Sequence, residues 1–327
     1  MRSVNVVSMH VANEELKLEA SRSPRVDAGR PSDADLVAVP VRHYGQFLSA
    51  GVVLIFIGLL CIAVAHTKNF QFSAVPRYLF DPTVLAGVKT TLELTVLSMA
   101  LGVTLGVIAA VWKLSTNPVL RWASASYIWF FRGTPAIVQL IFWFNIGIIF
   151  PTIRIGLPFT HLTLWQTATN SIITPFTAAI FALGINEGAY VAEIVRAGII
   201  SVGKGQLEAA YALGMDSRRA MRRVVLPQAV PVVIPPLGNE FISILKYSAL
   251  ASVIAVPELL GSVENIYSTN LLTLELLVVA SIWYIACTTT FSIGQHYLER
   301  HFARGRAAVG RSSSRRGTAV AGSETQR

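Results

Sequence analysis

Residues 206 to 230 read QLEAAYALGMDSRRAMRRVVLPQAV, a short polar and basic segment between two long apolar ones. Gly203 and Gly205 bracket a turn before it. Gln206 to Leu213 has room for two helical turns, with Glu208 near their N-terminus, where the helix dipole favours a carboxylate. Gly214 suits a left-handed C-cap. Asp216 then caps a second short helix, on which Arg218, Arg219, Arg222 and Arg223 fall in adjacent pairs one turn apart. The spacing predicts a compact helical knob between two membrane segments, with the small residues Ala209 and Ala210 at its contact face. Small side chains let such a knob seat closely in another protein's groove. The plainer reading is a loop whose arginines set topology and bind lipid headgroups. Glu-Ala-Ala alone is a common helix tripeptide; its weight comes from Gly214 after three intervening residues and from Val224-Val225-Leu226-Pro227 after nine more.

The composition around this segment is that of a membrane protein. Of 327 residues 53% are hydrophobic and only 14% charged, and the mean hydropathy of +0.55 is too high for a soluble chain of this length. Cys61 and Cys287 both lie in apolar segments and read as small hydrophobes, which supports neither a disulfide framework nor a thiolate metal site. The net charge of +9 does not point to nucleic acid, because the basic residues follow a membrane topology rather than one face. Arg2 to Arg42 precede the first apolar run, Lys113 and Arg121 lie between later runs, and Arg300 to Arg327 end the chain. The alternate connections hold only Lys68, Arg77 and Arg154. By the positive-inside rule both termini and the loop at 200 to 228 are cytoplasmic, which predicts a multi-pass protein of the cell inner membrane.

About six segments meet or approach the length of a spanning helix: 46 to 65, 84 to 111, 125 to 150, 174 to 199, 229 to 256 and 271 to 294. The fold class expected is therefore all-α and polytopic. Residues 1 to 45, with six acids and six basic residues, read as a disordered cytoplasmic tail, and residues 301 to 327 as another. In the second span Gly102 and Gly106 form a small-xxx-small face for close helix approach. In the fifth, Pro227, Pro231, Pro235 and Pro236 predict a broken helix. Broken backbone at membrane depth is tolerated where it is buried or lines a wet cavity, so this segment is the candidate pore wall.

With these residues in view, the segment at 206 to 230 matches the EAA loop of importer-type ABC permeases. Residues 82 to 300 resemble the permease subunits of polar amino acid ABC importers, the histidine, glutamine and glutamate systems. The resemblance is carried by GVKTTLELTVLSMALG at 87 to 102, WFFRGTPAIVQL at 129 to 140, GAYVAEIVRAGI at 188 to 199 and LGNEFISILKYSALASVIAVPELL at 237 to 260. It implies a type I importer permease domain over 82 to 300, with an additional first helix at 46 to 66. It also implies an ATPase-coupling site at Glu208, Ala209, Ala210, Gly214, Leu226 and Pro227. The implied partners are a cytoplasmic ABC ATPase dimer, a periplasmic amino-acid-binding protein and a second permease chain, the same or similar, all in contact with membrane lipids. Tyr247-Ser248-Ala249-Leu250 departs from the acidic or amide residue followed by Thr/Ser-Ser-Leu found in many members. Arg132-Gly133-Thr134-Pro135 is characteristic, and reads as a cytoplasmic-side turn with Arg132 at the headgroups.

Charges inside spans are costly and point to function by default. Glu193 and Arg196, at i and i+3, read as a local ion pair, and Glu93 and Glu275 lie near the outer ends, within reach of headgroups. Glu187, after Asn186, and Glu240, after Asn239, fall deeper. A free amino acid needs an acceptor for its ammonium and a donor for its carboxylate. The candidate substrate path is therefore Asn186, Glu187, Asn239, Glu240 and Lys246, with a broken-helix N-terminus as a further donor. Equally open is a structural bond between Glu240 and Lys246. No catalytic residue, cofactor or metal site is expected: the chain has no G-x-x-x-x-G-K-[ST], and its six histidines lack ligand spacing. Rival readings are a permease for another small solute and an ATP-independent secondary transporter, which inverted repeats would signal.

Overall fold

The computed structural model describes residues 44–65, 70–156 and 163–321; the expected N-terminal tail lies, up to residue 43, outside the described residues. The chain divides into two units, residues 1–67 and 68–327. The described part of the first is one helix, α1 (Tyr44–Ala65), over the first expected span.

The second unit begins with α2 (Ala74–Leu79) and α3 (Pro82–Lys113), the latter started by Asp81, which accepts from the Thr83 amide. Next come α4 (Pro118–Gly133), α5 (Ala136–Phe144) and α6 (Ile146–Ile149). An antiparallel pair, β1 (Thr152–Gly156) and β2 (Thr163–Ala168), leads through α7 (Thr169–Ile172) into α8 (Pro175–Ile200). The hairpin is absent from the all-α expectation. Its Ile/Thr/Trp content suits strands, but it stands where span counting sees only a linker.

Beyond α8 come α9 (Lys204–Ala212), α10 (Ser217–Ala220), a π-helical turn at Met221–Val225 and α11 (Leu226–Tyr247). A 3₁₀ segment, Ser248–Ile254, leads to α12 (Leu259–Asn270) and α13 (Thr273–Ala321). Helix α13 runs past residue 301, where the sequence predicts an unstructured tail; alanine and arginine, both strong helix formers, recur through that stretch.

Among the described residues four helices are long and apolar enough to cross a membrane: Pro82–Lys113, Pro175–Ile200, Ser217–Ile254 and Thr273–Arg300. They coincide with the second, fourth, fifth and sixth expected spans. The third, 125 to 150, is not one helix. Thr134 precedes a proline and is extended, as that position dictates, so the chain breaks between α4 and α5. Conversely, α11 is continuous through Pro231, Pro235 and Pro236, which corrects the expectation of a broken fifth helix. A proline removes one donor and crowds the preceding turn, and a bend relieves the crowding. In a membrane every alternative backbone leaves more groups without partners.

Helix α8 is the hub. Over its most apolar window 56% is buried, against 17% in the windows of the last two spans. It lies against α3 through two facing small-residue stripes, Gly102 and Gly106 opposite Gly184 and Gly188. A methyl group on Gly102 would stand 2.9 Å from Glu187 Cγ, and one on Gly106 2.9 Å from the Gly188 carbonyl oxygen. The glycines therefore set the approach of the two axes. The packing is apolar outward as well as inward: Val96, Leu97, Val107 and Val111 of α3 are exposed, while its Thr91, Thr95 and Ser98 are buried. That arrangement suits hydrocarbon as solvent.

Candidate functional site

The break between α4 and α5 makes the site. The fragment Thr134-Pro135 turns the chain, and the carbonyls it frees are bound by amides. Gln139 Nε2 donates to Phe131 O at 3.1 Å and Thr134 O at 3.2 Å, and Asn186 Nδ2 donates to Phe131 O at 2.8 Å and to Gln139 Oε1 at 3.2 Å. Asn186 lies near the middle of α8, so the break is at mid-membrane depth. The expectation of a cytoplasmic-side turn with Arg132 at the headgroups is corrected accordingly. The guanidinium of Arg132 instead sits over the Tyr190 ring, 5.1 Å from its centroid.

Arg132 through Ile137, with Asn186, Glu187, Tyr190, Glu240, Ser243, Tyr247 and Leu250, line a cavity of about 640 Å³. Glu187 is only 5% exposed, and its Oε1 has no hydrogen-bond partner among the described residues. Glu240 is half-buried on the facing helix. The cavity thus has two carboxylates, one guanidinium and the first turn of α5. The departure noted at Tyr247 to Leu250 falls on its wall.

Asn239 and Lys246 do not join this group. They line a separate cleft of about 400 Å³ between α11 and α13, with Gln295, His296 and Glu299, and Gln295 Nε2 donates to Asn239 Oδ1 at 2.8 Å. Among the described residues ion pairs join Lys89 to Glu93, Arg196 to Glu193 and Arg219 to Asp216; none joins Glu240 to Lys246. Six residues apart on a continuous helix, the two side chains are about 120° from alignment round the axis, a geometry that the proline pattern disguised. The Glu193–Arg196 pair stands at i, i+3 as its spacing predicts, 2.7 Å apart. Glu275 differs: it is buried and accepts from the Gln71 amide at 2.7 Å.

The loop at 200 to 228 folds as a knob. Gly214, at φ +76°, closes α9: its amide donates to Tyr211 O and that of Met215 to Ala210 O, the paired bonds of a Schellman cap. Asp216 accepts from the Arg219 amide at 2.8 Å and starts α10. Glu208, Ala209, Gly214, Leu226 and Pro227 are exposed, whereas Ala210 is 3% exposed. Ala210 therefore packs inside the knob rather than at a contact face, the consequence of folding α10 back on α9.

The family of binding-protein-dependent transport system inner membrane components matches residues 102–304, from the cavity-side glycine of α3 through the knob to the last span. The chain belongs to that family. It is an ABC importer permease of the type I fold. It is 39% identical over 290 residues to the arginine transport system permease protein of Corynebacterium glutamicum, covering 88% of this chain and 89% of that one. It is likewise 39% identical over 227 residues to the L-cystine transport system permease protein of Bacillus subtilis, covering 69% of this chain and 88% of that one. A crystal structure of an amino acid ABC transporter is 37% identical, with a TM-score of 0.61 over 72% of this chain and 100% of that one. The MetNI methionine ABC transporter, 19% identical at a TM-score of 0.55 over 67% of this chain and 96% of that one, shares the fold.

Three residues of the permease escape sequence reasoning. Gln139 satisfies the helix break; an amide four residues after a proline was the only hint. Tyr127 Oη donates to Ile185 O at 2.6 Å and ties α4 to α8. Glu258, 0% exposed, caps α12 through the Leu260 and Gly261 amides at 3.0 and 2.7 Å, and accepts from Tyr284 Oη at 2.8 Å. The signal for Glu258 was an acid preceding an apolar run, Pro257-Glu258-Leu259-Leu260, which is an N-cap pattern.

Proposed function

We propose that this permease carries a cationic amino acid through the cavity between α4, α5, α8 and α11, with Asn186, Glu187 and Glu240 on its path. The observation that carries the reading is Glu187: a buried carboxylate oxygen without a partner is costly, and a ligand ammonium or guanidinium relieves that cost. An amino acid's own ammonium and carboxylate need one acid and one donor, and Arg132 with the first turn of α5 supplies the donor. The second acid leaves a place for a positive side chain. The arginine system of the C. glutamicum relative supports this class; the cystine system of the B. subtilis relative favours a neutral polar substrate as the second reading. Asn186 holds the helix break and orients the path rather than binding directly, while Asn239 and Lys246 belong to a second cleft, at the path's edge.

Residues 82 to 300 form the transport domain in this reading, the helix at 46 to 66 is an addition to it, and both termini are cytoplasmic. Lipids surround the spans. A binding protein delivers substrate at the outer face, a second permease chain completes the path, and a separate ATPase dimer drives the cycle through Glu208, Ala209, Gly214, Leu226 and Pro227. Ala210 shapes the knob from within. ATP binding draws the knobs together and shifts the permease between two discrete states.

The test is uptake by the reconstituted permease, ATPase and binding protein. Arginine and lysine should be taken up and should compete with each other, while glutamine and glutamate should not. Selective uptake of glutamine or cystine would leave the permease but replace the substrate class. Glu208→Lys or Gly214→Asp should abolish ATP-driven uptake with the subunit still inserted, since a reversed charge or a strained cap misseats the knob. Undiminished transport in either variant removes the coupling assignment. Externally added thiol reagents should reach Ser268→Cys and miss Ser217→Cys; labelling at 217 overturns the orientation.

A further inference from the structure

We propose that the β1–β2 hairpin is the docking element on which this permease receives its solute-binding protein. The inference rests on the orientation given under the proposed function. Helix α8 begins just after the hairpin and ends just before the knob, so the two stand at opposite ends of one helix of 26 residues, about 39 Å long. If the knob faces the ATPase, the hairpin faces the delivering protein.

Among the described residues the hairpin is a two-stranded sheet, and such a hairpin is marginal on its own. It is held at the base by the Thr169 amide, which donates to Pro151 O at 3.0 Å, and by Thr169 Oγ1, which donates to Phe150 O. Arg154 pairs across from Gln166, and Ile155 from Trp165. Arg154 and Gln166 are exposed, and Trp165 is 45% exposed. At the base a cavity of about 410 Å³ opens between Phe144, Asn145, Ile148, Asn170 and Thr174, beside Ile148 at 78% exposure and Phe150 at 59%.

Charge narrows the choice of occupant. Arg154 is the sole lysine or arginine between Arg132 and Arg196. It stands in an outer connection, where topology disfavours a cation. A cation retained there calls for a reason other than insertion, and a carboxylate on an arriving protein supplies one. Arginine and tryptophan are the residues on which protein contacts concentrate their affinity, and the cavity beside them can take an apolar anchor. The occupant we assign is therefore the binding protein, presenting an acidic side chain to Arg154 and an apolar one to the base of the hairpin.

The experiment titrates purified, liganded binding protein onto proteoliposomes holding the complete permease and ATPase, reading stimulated ATP hydrolysis and uptake. Arg154→Glu and Trp165→Ala should each raise the half-saturating binding-protein concentration roughly tenfold or more, with basal hydrolysis and the saturated rate retained. A photoactivatable cross-linker on Gln166→Cys should capture the purified binding protein, and one on Ser217→Cys should not. Unchanged half-saturation in both variants overturns the proposal and leaves the transport reading standing. So does a fall in membrane insertion or thermal stability at unchanged half-saturation, which would make the hairpin a membrane-interface element. A wild-type complex indifferent to its binding protein sinks the transport reading and this inference together.

Discussion

Two buried glutamates in this permease have opposite surroundings. Glu258, at the start of α12, receives two backbone amides and the Tyr284 hydroxyl and is fully enclosed. Glu187, in the middle of α8, is nearly as enclosed but keeps one oxygen unpartnered against a cavity. The first carboxylate completes a structure. The second is left incomplete by the fold, which is what a transient cation site requires: a fully satisfied acid binds nothing new, and an unsatisfied one is stable only while its surroundings hold it.

The largest effect expected on this comparison is at the satisfied acid. Glu258→Ala strips acceptors from two amides and a hydroxyl at once, and should lower stability by roughly 3–5 kcal/mol, visible as lost protein or a strongly reduced melting temperature in detergent. An unchanged melt would mean that water replaces the carboxylate and that the contrast with Glu187 is false. The companion change, Glu187→Gln, should leave the melt unchanged or raised, because it keeps the shape and gives up only a carboxyl oxygen that has no partner, and should reduce uptake by about tenfold or more. Unchanged rate and apparent affinity would remove Glu187 from the path.

A smaller effect sharpens the geometry. Gly102→Ala places a methyl group 2.9 Å from Glu187 Cγ, so it should push the side chain and cost about 1–3 kcal/mol in the α3–α8 contact. Transport should fall more than stability does. Equal losses in both would make Gly102 a packing residue alone. The smallest effect concerns the pair that the sequence left open: Glu240→Gln and Lys246→Met should be additive in stability to within about 0.5 kcal/mol, as expected of side chains with no shared contact. A coupling well above that would restore the ion pair.

Much of this was legible beforehand because it is local or solvent-driven. Span length, the arginine asymmetry, the Gly214 cap, the Asp216 cap and the Glu193–Arg196 pair each depend on a few neighbouring residues or on hydrocarbon as solvent. The prolines misled for the same reason. Local rules assign each a break, but α11 is held by its neighbours and stays continuous, while the single Thr134-Pro135 step, less conspicuous in the sequence, interrupts a helix at membrane depth.

The sequence by itself determined that this chain is a membrane permease with a compact helical knob between two spans, since apolar length, charge placement and loop spacing suffice for that. Only the tertiary structure decided which charges meet. Arg132 was expected at the headgroups and lies on the cavity; Lys246, left open as either a partner of Glu240 or a donor on the path, lies in another cleft; Glu275 was expected within reach of the headgroups and lies buried against the Gln71 amide. The physical reason is that a side chain's partners depend on the rotation of its helix and on which helix is packed beside it. Both are settled by long-range contacts such as the glycine stripes of α3 and α8, and no spacing along one segment records them.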